Sequence, residues 1–277
     1  MSRGEVRIGT SGWMYKDWGK EFYPSGMREG FLTYLAGEFD TVEINNSFYH
    51  LPLMKTFSAW RAQTPEHFLF AVKLSRYITH RNLPSARQPL FRFLSHAKRL
   101  EHKLGPILVQ LPPWKKFSEE WLGRFLTDVQ AAAQRARISP RFALEPRHAS
   151  WLENIETVRE RLREVNIALA QHQTGFGAGL VFPHSAKIPS IPPDEANITA
   201  DFAYVRFHGP SEFAASRYGE KRLKPWAERI SKWQEKGVQI FCYFNNDVHG
   251  HAVHDARTLK QLVGISEPRA RTLFQDG

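Results

Sequence analysis

The hydrophobic residues of the chain fall into eight short runs that are separated by longer segments of helical pattern. The runs begin at Val6, Thr41, Phe68, Pro106, Phe142, Ile167, Ala203 and Gln239, so successive starts are 25 to 38 residues apart. Most runs are continuously apolar and do not alternate with polar residues, which is typical of parallel strands covered on both faces. The pattern therefore predicts eight buried parallel β-strands.

Amphipathic segments follow seven of the eight runs. They predict helices over residues 31–39, 51–63, 85–105, 118–136, 151–165, 224–237 and 250–264. The third helix is expected to stop at Gly105 and Pro106, and the fourth to begin at Ser118 with acidic residues in its first turn. The sixth connection, residues 173–201, shows no helical pattern. Its stretch TGFGAG is interpreted as a connecting loop and not as a phosphate cradle, because no helix follows it.

Repeated β/α units without a break in composition predict the fold class. The spacing favours an α/β protein, a (β/α)8 barrel of the TIM type whose sixth β/α unit is irregular. One domain is expected over residues 1–264, followed by a C-terminal tail of residues 265–277. A doubly wound open sheet is the alternative, but the chain lacks the glycine fingerprint of that fold.

The composition of the chain says more about the cellular compartment of the protein than about any reaction that it catalyses. The 277 residues carry a net charge of +10, which fits a nucleic-acid or phosphorylated partner but is weak evidence for either. Cys242 is the only cysteine, so no intramolecular disulfide or thiolate metal cluster can form. No apolar run approaches the roughly 20 residues needed to span a bilayer, and the N-terminus lacks a signal-peptide pattern. We therefore expect a cytoplasmic protein with no membrane partner.

Polar residues come late in the predicted strands, where TIM-type barrels carry their active sites. They are Glu43, Asn45, Lys73, Gln110, Glu145, Arg147, Arg206, His208, Asn245, Asn246 and Asp247. Residues two apart in a strand share one side, so Glu145 and Arg147 are expected to face the same way. The pattern predicts a polar site at one mouth of the barrel. The alternative is a lattice of ion pairs that only closes the barrel.

The residue types indicate roles within this predicted site. Glu43 and Glu145 are candidates for proton transfer, His208 for proton transfer near neutral pH, and Lys73 for a catalytic amine or merely a carboxylate partner. The residues predicted to bind substrate are Trp13, Tyr15, Asn45, Tyr49, Tyr77, His80, Gln110, Arg147, His148, Arg206 and Asn245. No metal or other cofactor is predicted, because the carboxylates and histidines lack a recognisable ligand spacing.

Aromatic rings and cations interleave in the loops after the first four predicted strands. Besides the rings named above, Arg76, Arg81, Trp114, Lys115 and Lys116 lie in these loops. Flat rings beside cations suit an anionic ligand with a stackable face. The alternative is that the rings pack the loops and the cations keep them soluble.

Several stretches of the sequence resemble the YecE-like family, catalogued as domain of unknown function 72. They are RIGTSGWMYKDW, FYP, TVEINNSFYHLP, FAVKLSRYITH, ILVQLPP, LEPRHASW, YVRFHG and YFNND, in order from Arg7 to Asp247. The resemblance covers nearly the whole chain. It implies a TIM-type barrel and no established activity.

Three hypotheses of function follow. The first is a barrel enzyme, a hydrolase, lyase or isomerase, that acts on an anionic, phosphate-bearing substrate by carboxylate general acid-base chemistry. The second is a nucleic-acid-binding protein or nuclease that uses the basic, aromatic rim. The third is a non-catalytic sensor of a small anion. The expected partner is accordingly an anionic small molecule or a single-stranded nucleic acid.

Overall fold

The continuous apolar runs form the strands of a parallel sheet. The computed structural model describes residues 3–81, 83–173, 195–210 and 214–265. In these residues the strands are β1 (Val6–Ser11), β2 (Thr41–Ile44), β3 (Leu69–Lys73), β4 (Leu104–Gln110), β5 (Phe142–Glu145), β6 (Ala168–Leu169), β7 (Gln171–Gln173), β8 (Phe202–Phe207) and β9 (Gln239–Phe244).

The two ends of the sheet meet at the sixth predicted strand, which the structure divides in two. The strand order is β6-β5-β4-β3-β2-β1-β9-β8-β7, with every pair parallel. β6 pairs with β5 and β7 pairs with β8, and Ala170 joins the two halves. With β6 and β7 counted as one, eight parallel strands form a nearly closed barrel in the described part of the chain. The predicted TIM-type fold is confirmed.

Helices cover the outside of the barrel. Those described are α1 (Trp18–Glu21), α2 (Phe31–Glu38), α3 (Met54–Ala62), α4 (Arg76–Thr79), α5 (Arg87–Ala97), α6 (Glu119–Ala136), α7 (Ser150–Glu153), α8 (Ile155–Arg163), α9 (Gly219–Glu235) and α10 (His251–Leu262), with short 3₁₀ turns at Asn46–Phe48, Lys98–Lys103, Glu195–Asn197 and Val248–Gly250. As predicted, Ser118 caps α6: its hydroxyl accepts a hydrogen bond from the Trp121 amide.

Two sequence predictions about element ends are wrong. Gly105 and Pro106 do not end a helix but lie inside β4, where the register against β3 shifts. A bulge of this kind tolerates proline, and a Cβ on Gly105 would lie 2.9 Å from the Phe70 carbonyl oxygen. The helix predicted over 151–165 is broken at Asn154, whose φ of −116° and ψ of 28° separate α7 from α8.

Small and large side chains fill the lumen from opposite sides. Ala71, Ala143, Ala168 and Ala170 come from one side of the barrel, and Phe202, Tyr204, Phe241 and Tyr243 from β8 and β9. The large aromatic side chains occupy the space that the alanines leave, so the lumen is filled and the polar residues lie at its ends. A larger apolar layer lies between the strands and the helices.

Two predictions fall outside the described residues. They are the loop of residues 174–179 within the irregular sixth connection, and the C-terminal tail beyond residue 265. Among the described helices, none is both long and apolar enough to cross a membrane.

Candidate active site at the carboxyl ends of the strands

Glu43 and Glu145 bind the same arginine. The Arg206 side chain is 1% exposed, and it donates from Nε and Nη2 to the two carboxylate oxygens of Glu43 at 3.0 and 2.8 Å. Its Nη1 donates to Oε2 of Glu145 at 2.8 Å. One guanidinium therefore joins carboxylates from β2 and β5, strands that are far apart around the barrel.

Glu43 is held as a carboxylate on all sides. Besides Arg206, Ser11 Oγ donates to its Oε1 and Tyr204 Oη to its Oε2, both at 2.6 Å. Burial alone would raise the pKa of Glu43, but the Arg206 charge and these hydrogen bonds hold it below its usual value. Glu43 is thus ionised and anchors Arg206, an arrangement that favours a positioning role over proton transfer.

His208 lies against the same arginine and is fully buried. Its Nε2 is 3.2 Å from Arg206 Nη1, and the Asn245 side-chain amide is 3.0 Å from its Nδ1. Arginine only donates hydrogen bonds, so His208 Nε2 accepts from Arg206. Burial opposes the charge on Arg206, but Glu145 and Glu43 raise the pKa of Arg206 above its usual value, so this donor is permanent.

Glu145 and Arg147 face the same way, as their two-residue spacing predicts, and they form an ion pair. Arg147 Nε donates to Glu145 Oε1 at 2.7 Å, and Gln110 Nε2 donates to the same oxygen at 2.8 Å. The Arg147 side chain is 13% exposed. Within the described residues, nothing accepts a hydrogen bond from its two terminal nitrogens, which leaves that edge of the guanidinium available to an anion.

Lys73 lies at the end of β3, half-buried beside this ion pair. Its Nζ is 4.2 Å from the centroid of the Phe48 ring, and no oxygen among the described residues accepts a hydrogen bond from it. Burial, followed by the charges of Arg206 and Arg147, lowers the pKa of Lys73 to about 7 although Glu43 and Glu145 oppose the shift. The amine is therefore divided between its neutral and charged forms near pH 7.

His80, Tyr49 and Tyr77 lie on the rim next to Lys73. His80 Nδ1 is 2.8 Å from the Thr79 hydroxyl. Burial and then Lys73, Arg147 and Arg76 lower the pKa of His80 to about 4, so its ring is neutral at physiological pH. Tyr49 and Tyr77 are 58% and 47% exposed.

Trp13 and His148, which were predicted to bind substrate, make contacts that stabilise the fold. The Trp13 ring packs edge-on against Trp60 at 5.4 Å, and its carbonyl accepts a hydrogen bond from Tyr23. His148 Nδ1 accepts a hydrogen bond from the Ser150 amide at 3.1 Å, which fixes the start of α7. Neither contact places the side chain beside Lys73 or Arg206.

Asp247 is one of the polar residues predicted at the strand ends, although it was not among the predicted site residues, and it lies near Tyr15 and Glu43. Tyr15 donates its hydroxyl to the Ser11 carbonyl and lies beside Asp247 and Asn45. Burial, with a contribution from Glu43, raises the pKa of Asp247 well above its usual range. Its position just after β9 is the signal by which the sequence places Asp247 among the strand-end residues. Tyr204 was not among the predicted site residues. Its position two residues before Arg206 on β8 places both side chains on the same side of the strand, and this signal could have identified it.

The acidic and histidine side chains at this mouth do not form the ligand set of a metal site in the described part of the chain. Within the described residues, no group of three or more histidine, cysteine, aspartate or glutamate side chains is arranged to hold an ion. The carboxylates of Glu43 and Glu145 are instead neutralised by Arg206 and Arg147.

Comparison with known families identifies the group to which the barrel belongs. A model described as "Protein of unknown function DUF72" matches residues 7–275. The chain belongs to the DUF72 family. It is also similar to the UPF0759 protein YunF of Bacillus subtilis, with 24% identity over 294 residues that cover 97% of this chain and 100% of YunF.

Solved structures of DUF72 proteins share the fold. One from Thermotoga maritima superposes with a TM-score of 0.76 and 26% identity, covering 94% of this chain and 99% of that chain. One from Enterococcus faecalis has a TM-score of 0.75 and 18% identity, with coverage of 96% and 100%. The family and fold implied by the resemblance are confirmed. None of these names states a substrate or a reaction.

Proposed function

We propose that this DUF72 protein is an enzyme that binds an anionic, phosphate-bearing substrate between Lys73 and Arg147. The observation that carries the proposal is the pair itself. Two basic side chains lie at one barrel mouth with hydrogen-bonding capacity that the described residues leave unused. The Glu43–Arg206–Glu145 network beside them is already neutralised, so it competes little for these donors.

Lys73 is the proposed proton carrier. It takes the role that the sequence analysis assigned to Glu43. With a pKa of about 7, its amine is available both to accept and to donate a proton. An arriving anion raises the pKa of a neighbouring amine, so substrate binding would convert Lys73 into a general acid. Glu145 orients Arg147, while Glu43 and His208 position Arg206. A proton carrier at this position serves hydrolysis, elimination or isomerisation.

Inorganic phosphate is a suitable probe of this site. We expect calorimetric titration to detect phosphate binding to the wild type, and Lys73→Met and Arg147→Met to weaken it at least tenfold. Lys232→Met and Arg229→Met on the exposed face of α9 are matched controls that change the same charges elsewhere. Equal affinity in all five proteins would refute the proposal.

A second measurement tests the reactivity of Lys73. At pH 7.5 an amine with a pKa near 7 is mostly neutral, whereas an ordinary lysine is neutral in roughly one molecule in a thousand. Trinitrobenzenesulfonate should therefore label Lys73 well before the other lysines, as read by peptide mass spectrometry, and phosphate should protect it. Labelling no faster than at Lys232 would contradict the proton-carrier role.

The sensor hypothesis shares this site and differs only in turnover. Small molecules released from gently purified wild type and from Arg147→Ala should be compared by mass spectrometry. A ligand retained by the wild type and lost in the variant names the substrate class. If that ligand is returned to the protein and is not converted, the sensor hypothesis is favoured over the enzyme.

A further inference from the structure

A continuous band of aromatic rings extends along one side of the mouth. We call it the rim strip; it consists of Phe48, Tyr49, Tyr77, His80 and Trp114 together with Arg76, Arg81 and Lys116. The Phe48 centroid is 5.1 Å from both Tyr49 and His80, and His80 is 6.5 Å from Trp114. The strip therefore links the loops that follow β2, β3 and β4.

Three rings of the rim strip are exposed to an extent unusual for aromatic side chains. Tyr49, Tyr77 and Trp114 are 58%, 47% and 54% exposed. Arg76 lies over the Tyr49 ring at 5.4 Å and Arg81 over the Tyr77 ring at 4.8 Å. Each guanidinium covers part of one ring and orients it, and the exposed area is left for another flat group.

The cations of the rim strip have no acidic counterpart nearby. Arg76, Arg81 and Lys116 are exposed, and none of them lies within salt-bridge distance of a carboxylate in the described ranges. The positive charge around His80 reflects the same imbalance, because Lys73, Arg147 and Arg76 all act on its ring. A polyanion is the complementary partner.

The hollows beside the rings are too extended for a single small anion. One of about 360 Å³ is lined by Tyr49, Ser75, Arg76, Tyr77, His80 and Arg81. Another of about 580 Å³ is lined by residues that include Trp114, Lys116, Trp121 and Arg124. The His80–Trp114 ring contact joins the two. A ligand that fills both hollows would offer several flat groups and several negative charges in a row.

We propose that the rim strip binds single-stranded nucleic acid. Unpaired bases would stack on Tyr49, Tyr77 and Trp114, and the phosphates between them would contact Arg76, Arg81 and Lys116. A duplex keeps its bases stacked on each other, so it cannot offer their faces to the rings. The inference does not depend on the chemistry proposed at Lys73, because the strip uses other side chains.

Fluorescence anisotropy with a fluorescein-labelled twelve-nucleotide thymidine strand tests the proposal. We expect the full chain to bind the strand at least tenfold more tightly than the same strand annealed to its complement. The triple variant Tyr49→Leu, Tyr77→Leu, Trp114→Leu should weaken strand binding by roughly 1,000-fold, since each stacked ring contributes about tenfold. The variant Tyr49→Phe, Tyr77→Phe keeps the rings and should retain wild-type affinity.

Salt dependence provides an independent measurement. Contacts from three cations predict a slope of log affinity against log salt of about −2, because each single-strand phosphate contact contributes about −0.7. Replacing Arg76 and Arg81 by glutamine should bring the slope to about −0.7. No strand binding by the wild type, equal affinity for the duplex, or full affinity in the leucine variant would each overturn the proposal.

The two proposals fail separately. The leucine variant should keep its affinity for inorganic phosphate, and Lys73→Met should keep most of its affinity for the strand. Loss of phosphate binding in a folded leucine variant would mean that the rings belong to the Lys73 pocket, and the rim strip as a separate site would be wrong.

Discussion

The Glu43–Arg206–Glu145 network and the Lys73–Arg147 pair lie at the same mouth but differ in how their hydrogen-bonding capacity is used. In the network, both oxygens of each carboxylate have donors, and the arginine side chain is 1% exposed. In the pair, Lys73 Nζ and the outer edge of Arg147 have no acceptor among the described residues. At one mouth of the barrel, some charged side chains thus pair with each other, and others keep donors that a ligand can use.

This difference separates structural charge from charge that is available to a ligand. A buried ion pair stabilises the fold only when every charge is compensated, which the network achieves. An uncompensated amine is unfavourable for folding, and a chain retains such a group more readily where a ligand completes it. The substitutions below test whether the two regions behave in these opposite ways, and those in the rim strip provide a third comparison.

The largest expected effect is at Arg206. Its replacement by methionine leaves Glu43 and Glu145 buried without their shared cation, and we expect a loss of about 3–5 kcal/mol in the free energy of unfolding, measured by urea denaturation. Arg147→Met should lose less, because Glu145 keeps its hydrogen bonds from Arg206 and Gln110. Equal losses at the two arginines would remove the distinction between the regions.

Glu43→Gln should give the next largest effect, a loss of about 2 kcal/mol at pH 7, because an amide nitrogen then faces the donors of Arg206. The pKa of Glu43 is lower in the folded chain than in the unfolded chain. Its stabilisation is therefore complete above about pH 5 and disappears as the pH falls through the folded value. Urea unfolding should show the gap to wild type narrowing below about pH 4; a gap that widens on acidification would contradict this.

Lys73→Met should increase the free energy of unfolding, whereas the substitutions above decrease it. Because the folded pKa of about 7 lies below the unfolded value of 10.5, the unfolded chain binds more protons between these pH values, and wild-type stability from this group rises with pH across the window. Methionine removes the unfavourable charge, so the variant should be about 2 kcal/mol more stable than wild type at pH 6. Thermal unfolding should show this advantage vanishing near pH 10, and a constant advantage would exclude titration as its cause.

The smallest effect is expected in the rim strip. Tyr49→Leu and Tyr77→Leu change exposed rings, so each should alter the free energy of unfolding by less than about 0.5 kcal/mol. Urea denaturation of both variants checks this. A loss above 2 kcal/mol would show that the rings are structural, and would weaken the case for a nucleic-acid surface.

The fold was accessible from the sequence because its signals are local. Continuous apolar runs at regular spacing, separated by amphipathic segments, predict buried parallel strands and covering helices without any knowledge of contacts. The errors came where a nonlocal contact overrides a local signal. Gly105 and Pro106 look like a helix stop but form a bulge against β3, and the sixth strand divides where its two halves pair with different neighbours.

The sequence by itself determined which side chains end the strands, and period two was sufficient to aim Glu43, Glu145 and Arg206 toward one mouth. Only the tertiary structure decided how they pair, because pairing depends on the curvature that brings β2, β5 and β8 around one guanidinium. The same closure left Lys73 without an acceptor and lowered its pKa, since burial and neighbouring charge are properties of the assembled barrel. Residue identity is local, whereas the environment that gives a residue its chemistry is not.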